Sequence, residues 1–291
     1  MTAGGNGVPW VRRVTELRRV VVVSSRFKPA AHDVARAIAA AFAERVPQVD
    51  LDLEGVRPIA AAADLVITVG GDGTLLATGR MLAGGRAPVL GVNLGKLGFL
   101  ATFGADEVVA FAEGASVGPW RSLAAPLLAA VVRGGPPRLA LNDVAFSQGV
   151  MTRLIHFALE VDGSPAAAYR ADGVVVATPL GSTAYSLSLG GPILMPDVRA
   201  IVVTPVAPQS LANRPIVLPE ASRLRLVPEG RWDELALVLD GQERMDLRSG
   251  DDVVLSLGAD LMRLVPAGYD PFAVLRHKLR WSEGPTLDPT S

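Results

Sequence analysis

An apolar run that ends in three glycines constrains this chain more than any other feature of its sequence. Residues 65–74 read LVITVGGDGT, in which Val66, Ile67 and Val69 are β-branched and apolar. A continuous apolar run of this kind is typical of a parallel strand that is buried on both faces. The glycines remove every Cβ at the turn, so backbone N–H groups can approach a phosphate oxygen. The stretch therefore predicts a buried strand, a phosphate-binding loop and a helix that begins near Thr74.

Asp72 is the only ionisable residue in this loop, and its position limits the reactions that the loop could support. The loop lacks the GxxxxGK[ST] pattern of a P-loop, and Leu76 stands where a dinucleotide-binding GxGxxG motif needs its third glycine. A carboxylate among phosphates repels them unless it accepts a proton from an attacking hydroxyl or binds a metal ion. Both roles indicate phosphoryl transfer. Taken alone, the loop is equally consistent with a plain strand-to-helix turn in which Asp72 is the N-cap.

The first part of the chain alternates between strand and helix patterns, and this order predicts a parallel sheet. The loop at residues 93–100, NLGKLGFL, follows an apolar strand and is expected at the sheet edge where open α/β folds bind ligands. The predicted elements are strands at 19–23, 65–69 and 88–92 and helices at 32–46, 75–83 and 105–113.

From about residue 119 to residue 269 the pattern changes to short strands separated by turn residues, which predicts an all-β, sandwich-like domain. Strands at 127–133 and 139–147 flank a GGPP turn and are predicted to form a hairpin. A helix predicted at 271–281 returns the chain to its first domain. The expected fold is therefore an α/β domain with a parallel, Rossmann-like sheet, formed by residues 1–118 plus 270–291, and a β domain formed by residues 119–269.

Two polar stretches in the β region indicate a ligand site. Asn142-Asp143 lies among apolar residues of a predicted strand, where buried polar side chains cost stability unless something binds them. Residues 169–193, YRADGVVVATPLGSTAYSLSLGGPI, predict a strand, a turn and a helical segment whose first N–H groups can bind an anion or a ribose. Asp172-Gly173 and Asp240-Gly241, each taken singly, are more typical of hairpin turns. Ser182 is not a hydrolase nucleophile, because the final glycine of GxSxG is missing.

Composition limits the partners. The chain has 28 basic and 29 acidic residues, so its net charge of -1 provides no attraction to nucleic acid or to a membrane surface.

The chain has no cysteine, which excludes thiolate catalysis and disulfides and agrees with a reducing cytoplasm. No signal peptide or apolar stretch of about 18 residues is evident, so we expect a cytoplasmic protein. Lysine catalysis is disfavoured, because the only lysines are Lys28, Lys96 and Lys278.

These stretches together resemble the NAD kinase family, which belongs to the superfamily of diacylglycerol kinases, sphingosine kinases and phosphofructokinases. GGDGT at 70–74 is shared by much of that superfamily, whereas its combination with the other stretches is specific to the family. The resemblance covers nearly the whole chain and rests also on NLGKLGFL at 93–100, Asn142-Asp143, ADGVVVATPLGSTAYSLSLGGPI at 171–193, SLANRPIV at 210–217, Asp240-Gly241-Gln242 and LRHKLRW at 275–281.

The resemblance implies phosphorylation of the 2′-hydroxyl of the adenosine ribose of NAD by ATP or polyphosphate, giving NADP, in a homodimer or homotetramer whose β domains complete neighbouring sites. It implies that Asp72 is the catalytic base and that Phe99 closes the pocket. It assigns substrate contacts to Asp72, Gly73, Asn142, Asp143, Arg153, Arg170, Asp172, Thr183, Ala184, Tyr185, Ser186, Leu187, Ser188, Ala207 and Gln242. A divalent cation, most simply Mg²⁺, is expected because the glycine loop has no lysine to neutralise the converging phosphates. The protein ligands of this cation are not assigned.

Three positions depart from the common family pattern. Asp143 replaces the usual glutamate, Leu180 replaces a threonine or serine, and Gln209 replaces a histidine.

Two alternative functions stay open beside the NAD kinase hypothesis. A lipid kinase of the same superfamily is disfavoured, because no amphipathic or basic membrane-binding segment is present. A dinucleotide sensor that has lost turnover through Leu180 and Gln209 is disfavoured, because Asp72 and its glycine loop remain.

Overall fold

The structure, a computed structural model, describes residues 14–55, 57, 59, 62–82, 85–95, 97–114, 122–148, 154–230, 232, 234–265 and 271–281. The helices are α1 Pro29–Ala43, α2 Asp72–Met81, α3 Ala105–Ala112, α4 Tyr185–Ser188 and α5 Pro271–Leu279, with 3₁₀ turns at Val14–Glu16 and Leu180–Thr183. The strands are β1 Arg19–Ser24, β2 Gln48–Asp52, β3 Leu65–Val69, β4 Pro88–Val92, β5 Leu123–Val132, β6 Arg138–Ala140, β7 Asp143–Gln148, β8 Ile155–Val161, β9 Ser164–Ala171, β10 Gly173–Ala177, β11 Ala200–Val206, β12 Ile216–Pro219, β13 Leu224–Glu229, β14 Leu235–Leu239, β15 Glu243–Leu247 and β16 Val253–Val265. Within these residues, no helix has both the length and the apolar character needed to cross a bilayer.

Four parallel strands form the first part of the fold, in the order β2-β1-β3-β4. One face packs against α1 and α3, where the rings of Phe42 and Phe111 have centroids 6.2 Å apart. The other face packs against α2 through residues such as Leu75. Because helices cover both faces, β3 is buried along its whole length, as its continuous apolar sequence predicts. The predicted α/β architecture is confirmed.

The second part is an antiparallel sandwich, which confirms the other half of the predicted fold class. One sheet has the order β12-β11-β10-β7-β14-β15, and the facing sheet contains β16, β13, β8 and β9 with β5 and β6. Their inner side chains form a single apolar core, in which the rings of Phe146 and Phe157 meet edge to face at 5.6 Å.

Strand β16 joins the two parts of the molecule. It pairs antiparallel with β5 and β13, and its end, 263–265, pairs parallel with residues 88–90 of β4. The parallel strands and one layer of the sandwich therefore form one continuous hydrogen-bonded sheet. After β16, the residues Val274 and Leu275 of α5 lie beside Phe99 and Leu100 of the NLGKLGFL loop. The predicted domain boundaries stay predictions, because 115–121 and 266–270 lie outside the described residues.

Two local predictions in the β region are wrong. The predicted strand 139–147 is broken at residues 141–142, so β6 stays with β5 while β7 crosses to the opposite sheet. Asp172-Gly173 is not a hairpin turn, because β9 and β10 belong to different sheets. The turn interpretation of Asp240-Gly241 is confirmed, since it connects β14 with β15 through φ values of 51° and 66°. The breaks at 141–142 and at 172 are the points where the chain passes between the two layers of the sandwich.

Candidate active site

The glycine loop turns directly from β3 into α2. Gly70 and Gly71 have φ values of 154° and 138°, which side chains with a Cβ rarely adopt. Gly71 is the N-cap, and α2 begins at Asp72, two residues earlier than predicted. The alternative in which Asp72 is the N-cap is therefore wrong. The N–H groups of Asp72 and Gly73 have no acceptor within the helix and stand at its positive end, as an anion site requires.

A second loop holds the carboxylate of Asp72 in place. The backbone N–H of Phe99 donates to Oδ2 at 2.9 Å, and those of Leu100 and Ala101 donate to Oδ1 at 3.0 and 2.8 Å. Gly98 allows this approach, because a Cβ at that position would overlap the Asp72 side chain. A carboxylate has about four acceptor positions, of which three are used here. The remaining position, on Oδ2, is available to a substrate hydroxyl.

A cavity of about 760 Å³ lies in front of the glycine loop. Its walls are the glycine loop, the connection between β1 and α1, the exposed side of α2 and the turn between β14 and β15. Ser24 and Thr78 belong to its wall, although both residues are only 1% exposed. Their hydroxyl oxygens find no hydrogen-bond partner within the described part of the chain. An unpaired buried hydroxyl costs about 1–3 kcal/mol, and both of these oxygens are closed off from the cavity by neighbouring atoms.

Arg80 of α2 connects the glycine-loop helix to the turn between β14 and β15. Its Nη1 bonds to Oδ2 of Asp240 at 2.5 Å, its Nη2 to Oε1 of Gln242 at 2.6 Å, and its Nε to Oε1 of Glu243 at 3.2 Å. Gln242 also donates from Nε2 to the carbonyl of Gly73 at 2.8 Å. We call Arg80, Asp240, Gln242 and Glu243 the Arg80 network. It ties the two parts of the fold together beside the cavity.

Asp240 extends the Arg80 network to Asn142-Asp143. Its fully buried carboxylate accepts hydrogen bonds from the backbone N–H groups of Leu141, Asn142 and Asp143, at 3.1, 2.7 and 3.3 Å. The side-chain oxygen of Asn142 is buried and has no partner among the described residues. Asp240 therefore positions the backbone of this pair, and a substrate contact at Asn142-Asp143 stays a prediction.

Burial raises the pKa of Asp143 to about 7. The negative charge of Asp240 contributes to this rise in the pKa, whereas a hydrogen bond from the backbone of Tyr185 opposes it. In the unfolded chain the pKa is near its ordinary value of 3.8. Between these two values the folded state holds a proton that the unfolded state has released, so the stability contributed by this group decreases as the pH rises through that window.

This linkage gives a testable pH dependence. We expect Asp143 to lower the free energy of unfolding by about 1.4 kcal/mol between about pH 6 and about pH 8, and Asp143→Asn to remove that loss because an amide does not titrate. Denaturant unfolding of both proteins at both pH values measures the difference. Asp246→Asn, at a side chain that is 77% exposed, is the matched control and should keep the wild-type pH dependence. Equal pH dependence in wild type and Asp143→Asn would contradict the expectation.

The structure brings one group of the predicted site residues together and places another group elsewhere. Asp72, Gly73, Asn142, Asp143 and Gln242 lie along the glycine loop and the Arg80 network, and Tyr185 joins them through its hydrogen bond to Asp143. The other group, Arg170, Asp172 and Ala207, is linked by backbone bonds from Asp172 to Val206 and from Gln209 to Arg170.

The second group lies at the opposite end of β10 from Asn142-Asp143. Asp143 pairs with Ala177, whereas Asp172 precedes Gly173 at the other end of the strand. Asp172 and Ala177 are five residues apart, which at about 3.3 Å per residue is about 17 Å. Arg153 lies outside the described residues. Within the described residues, a single subunit therefore does not gather all of the predicted contacts around one point.

The predicted substrate-binding segment 183–188 forms two short helical turns. Tyr185 is 45% exposed and available to a ligand. The hydroxyl of Ser186 is fully buried and bonds to that of Thr204 at 2.9 Å, so it supports the fold. The hydroxyls of Thr183 and Ser188 donate to the backbone carbonyls of Leu180 and Tyr185, while Ala184 and Leu187 are half-buried. Substrate contacts by these residues stay predictions.

The substitution at Leu180 has a structural explanation. This side chain is 7% exposed and packs in an apolar cluster with residues of α2 and of the NLGKLGFL loop. It lines a small apolar cavity together with Phe99 and Val274. A leucine fills this environment better than a hydroxyl side chain that would need a partner. Gln209 is exposed, and its backbone N–H bonds to the carbonyl of Arg170.

Sequence reasoning missed several residues that line the cavity. Lys28 donates from Nζ to the carbonyl of Gly70 at 2.8 Å, so a lysine does reach the glycine loop from another part of the chain. One signal could have located Lys28. The carboxyl ends of neighbouring parallel strands lie at the same edge of the sheet, and β1, which precedes Lys28, pairs with β3, which precedes the glycine loop. Ser24 could have been found in the same way. No pattern in the sequence indicates the contacts of Arg80 or the position of Thr78 in the cavity wall.

Comparison with known proteins identifies relatives over most of the chain. The family model described as the ATP-NAD kinase N-terminal domain matches residues 14–116, and the ATP-NAD kinase C-terminal domain matches residues 141–267. The chain is 41% identical over 232 residues to an NAD kinase from Aromatoleum aromaticum, covering 78% of this chain and 77% of the relative. It is 38% identical over 237 residues to an NAD kinase from Geobacter sulfurreducens, covering 79% and 84%.

Two solved structures resemble the fold. Yeast NADH kinase in complex with NADH superimposes with a TM-score of 0.77 and 25% identity, covering 93% of this chain and 90% of the yeast chain. An NAD kinase from Archaeoglobus fulgidus in complex with ATP superimposes with a TM-score of 0.71 and 25% identity, covering 90% and 98%.

Proposed function

This chain belongs to the NAD kinase family and is a kinase that acts on NAD, and we propose that Asp72 is the base that activates the 2′-hydroxyl of the adenosine ribose. The observation that carries this assignment is the Asp72 carboxylate itself. Three backbone N–H groups orient it beside the cavity, and its one remaining acceptor position is free for a hydroxyl.

The proposed reaction transfers the γ-phosphoryl group of ATP to NAD. The ribose 2′-oxygen forms a bond to the γ-phosphorus, the bond from that phosphorus to the β,γ-bridging oxygen breaks, and ADP leaves. The hydroxyl proton passes to Oδ2 of Asp72. The positive end of α2 stabilises the charge on the phosphates through the N–H groups of Asp72 and Gly73. Holding the hydroxyl in line with the leaving oxygen supplies a further part of the rate.

We propose that Mg²⁺ enters with ATP as part of the substrate. Within the described residues, no group of three or more His, Cys, Asp or Glu side chains could hold a metal ion. Glu54, Asp72 and Glu243 are the carboxylates along the cavity wall. This donor set fits a cation that is bound mainly by substrate phosphates, as is usual for Mg²⁺. When bound, the cation neutralises phosphate charge.

We also propose a homodimer or homotetramer in the cytoplasm. The separation of Arg170, Asp172 and Ala207 from the other predicted contacts supports a site that a neighbouring subunit completes. The absence of cysteine from the sequence agrees with a reducing compartment. Size-exclusion chromatography with light scattering tests the assembly, and a monomer at assay concentration would contradict it.

The activity itself is tested with the full-length protein, NAD, ATP and Mg²⁺, with NADP measured by an NADP-specific dehydrogenase. We expect turnover on the order of 1–100 s⁻¹ and its loss when EDTA removes the divalent cation. Parallel assays with polyphosphate in place of ATP, and with NADH in place of NAD, determine the donor and substrate preferences. Measurable binding of NAD without product from ATP, other nucleoside triphosphates or polyphosphate would refute the kinase assignment and leave the sensor hypothesis.

A further inference from the structure

Lys28 is placed at the glycine loop by the pairing of two parallel strands. Ser24, at the end of β1, pairs with Val69, at the end of β3, so the residues that follow each strand lie side by side. The Nζ atom of Lys28 donates to the carbonyl of Gly70 at 2.8 Å and would lie 3.6 Å from a Cβ at Gly71. Lys28 also lines the 760 Å³ cavity. A cation therefore stands at the phosphate-binding loop, although the loop sequence contains none.

Arg80 and Arg26 also line the cavity, but neither is bonded to the glycine loop in the way that Lys28 is. Arg80 is held by Asp240, Gln242 and Glu243 through all three of its side-chain nitrogens. The guanidinium of Arg26 lies 4.6 Å from the centroid of the Phe27 ring. An ammonium group has three N–H donors, and Lys28 uses one of them on the carbonyl of Gly70. Lys28 is therefore held directly at the glycine loop and keeps donors for a ligand.

The other donors beside Lys28 indicate the nature of that ligand. The N–H groups of Asp72 and Gly73 have no acceptor within α2 and stand at its positive end. Together with the ammonium of Lys28, they form a set of donors at the glycine loop. Such a set fits a ligand with many acceptor oxygens and negative charge, which is the chemistry of a polyphosphate chain.

We propose that Lys28 is a donor-binding residue whose ammonium group binds phosphate oxygens of the phosphoryl donor, ATP or inorganic polyphosphate. The proposal rests on the proposed function and deepens it by assigning a residue to the donor. The hydrogen bond to Gly70 holds the ammonium beside the loop, so the charge is in position before the donor binds. Lys28 neutralises part of the charge that converges on the transferred phosphoryl group.

Binding and kinetics of Lys28→Met and Lys28→Arg test the proposal in the full-length protein. We expect Lys28→Met to raise the Kd of ATP and of tripolyphosphate and the KM for the donor at least tenfold. The Kd values of adenosine and of NAD should stay within about twofold of wild type, because neither ligand contains a triphosphate. Lys28→Arg should recover most of the donor affinity, since it keeps the charge. A comparison of ATP with polyphosphate as donor shows whether both sources use the contact.

The matched control is Arg36→Met, which removes one positive charge from the exposed face of α1, where Arg36 pairs with Asp33. It should leave the donor affinity unchanged. A Kd of ATP in Lys28→Met within twofold of wild type would overturn the proposal. Equal weakening of ATP, adenosine and NAD would also overturn it, since that pattern indicates loss of loop support. Failure of the wild type to form NADP refutes the proposed function instead, while the tripolyphosphate measurement still decides the role of Lys28.

Discussion

Replacement of Asp72 by asparagine is expected to lower kcat for NADP formation by about 10²- to 10⁴-fold, because the amide cannot accept the proton of the ribose hydroxyl. The change keeps the size of the side chain. The amide nitrogen must face either the N–H of Phe99 or those of Leu100 and Ala101, so at least one hydrogen bond is lost. We expect this loss to cost about 1–3 kcal/mol of unfolding free energy, which leaves the protein folded.

Steady-state kinetics and NAD binding separate the two effects of this substitution. If Asp72 is the base, kcat falls while the Kd of NAD stays within about threefold of wild type. Asp106→Asn is the matched control, since Asp106 lies in the exposed first turn of α3 and the change removes the same charge away from the cavity. It should leave kcat within twofold. An Asp72→Asn protein that keeps more than a tenth of the wild-type kcat would show that Asp72 is not the base.

Arg80→Met is expected to lower the free energy of unfolding by about 3 kcal/mol, because it leaves the carboxylate of Asp240 buried without its cation. The side chain of Asp240 is 0% exposed and that of Arg80 is 10% exposed, so water cannot replace the lost partner. For a chain of this size the melting temperature should fall by about 6–12 °C. The KM for NAD should rise as well, since Asp240 holds the backbone of Asn142-Asp143.

Two further variants test whether the charge of Asp240 causes this loss. Arg138→Met removes a neighbouring cation that is 52% exposed and pairs with Glu243, so it should cost less than about 1 kcal/mol. The double variant Arg80→Met, Asp240→Asn should recover part of the stability, because no unpaired charge then remains buried. A loss below about 1 kcal/mol in Arg80→Met would show that the Arg80 network does not hold the two parts of the fold together.

The features that could be predicted from the sequence are those that neighbouring residues decide. The apolar, β-branched residues of 65–69 specify a strand buried on both faces, and the following glycines permit φ values that other residues avoid. Alternation of such strands with helices specifies a parallel sheet, and turn residues between short strands specify the sandwich. The position of Asp72 among glycines identified the carboxylate. The combination of several motifs over the chain identified the family.

The sequence was insufficient to predict the structure where local strand preference competes with contacts between distant parts of the chain. Residues 139–147 have the composition of one strand, yet the chain breaks at 141–142 because β6 and β7 belong to different layers of the sandwich. The sequence showed that a polar pair, Asn142-Asp143, is unusual within a strand. It did not show which residue holds the chain at this position. Asp240, far along the chain, holds the backbone at this break through three N–H groups.

The family and the candidate site around Asp72 were therefore indicated by the sequence alone, whereas the charges and contacts around Asp72 were decided by the tertiary structure. Lys28 reaches Gly70 across 42 positions of the chain, and Arg80 reaches Asp240 across 160. The raised pKa of Asp143 depends on burial by several elements. These properties follow from the order of the strands and from the continuous sheet that β16 completes. Strand order and sheet continuity in turn depend on the packing of the whole chain. A side chain's distance to residues far along the chain is set by this packing, which no local pattern encodes.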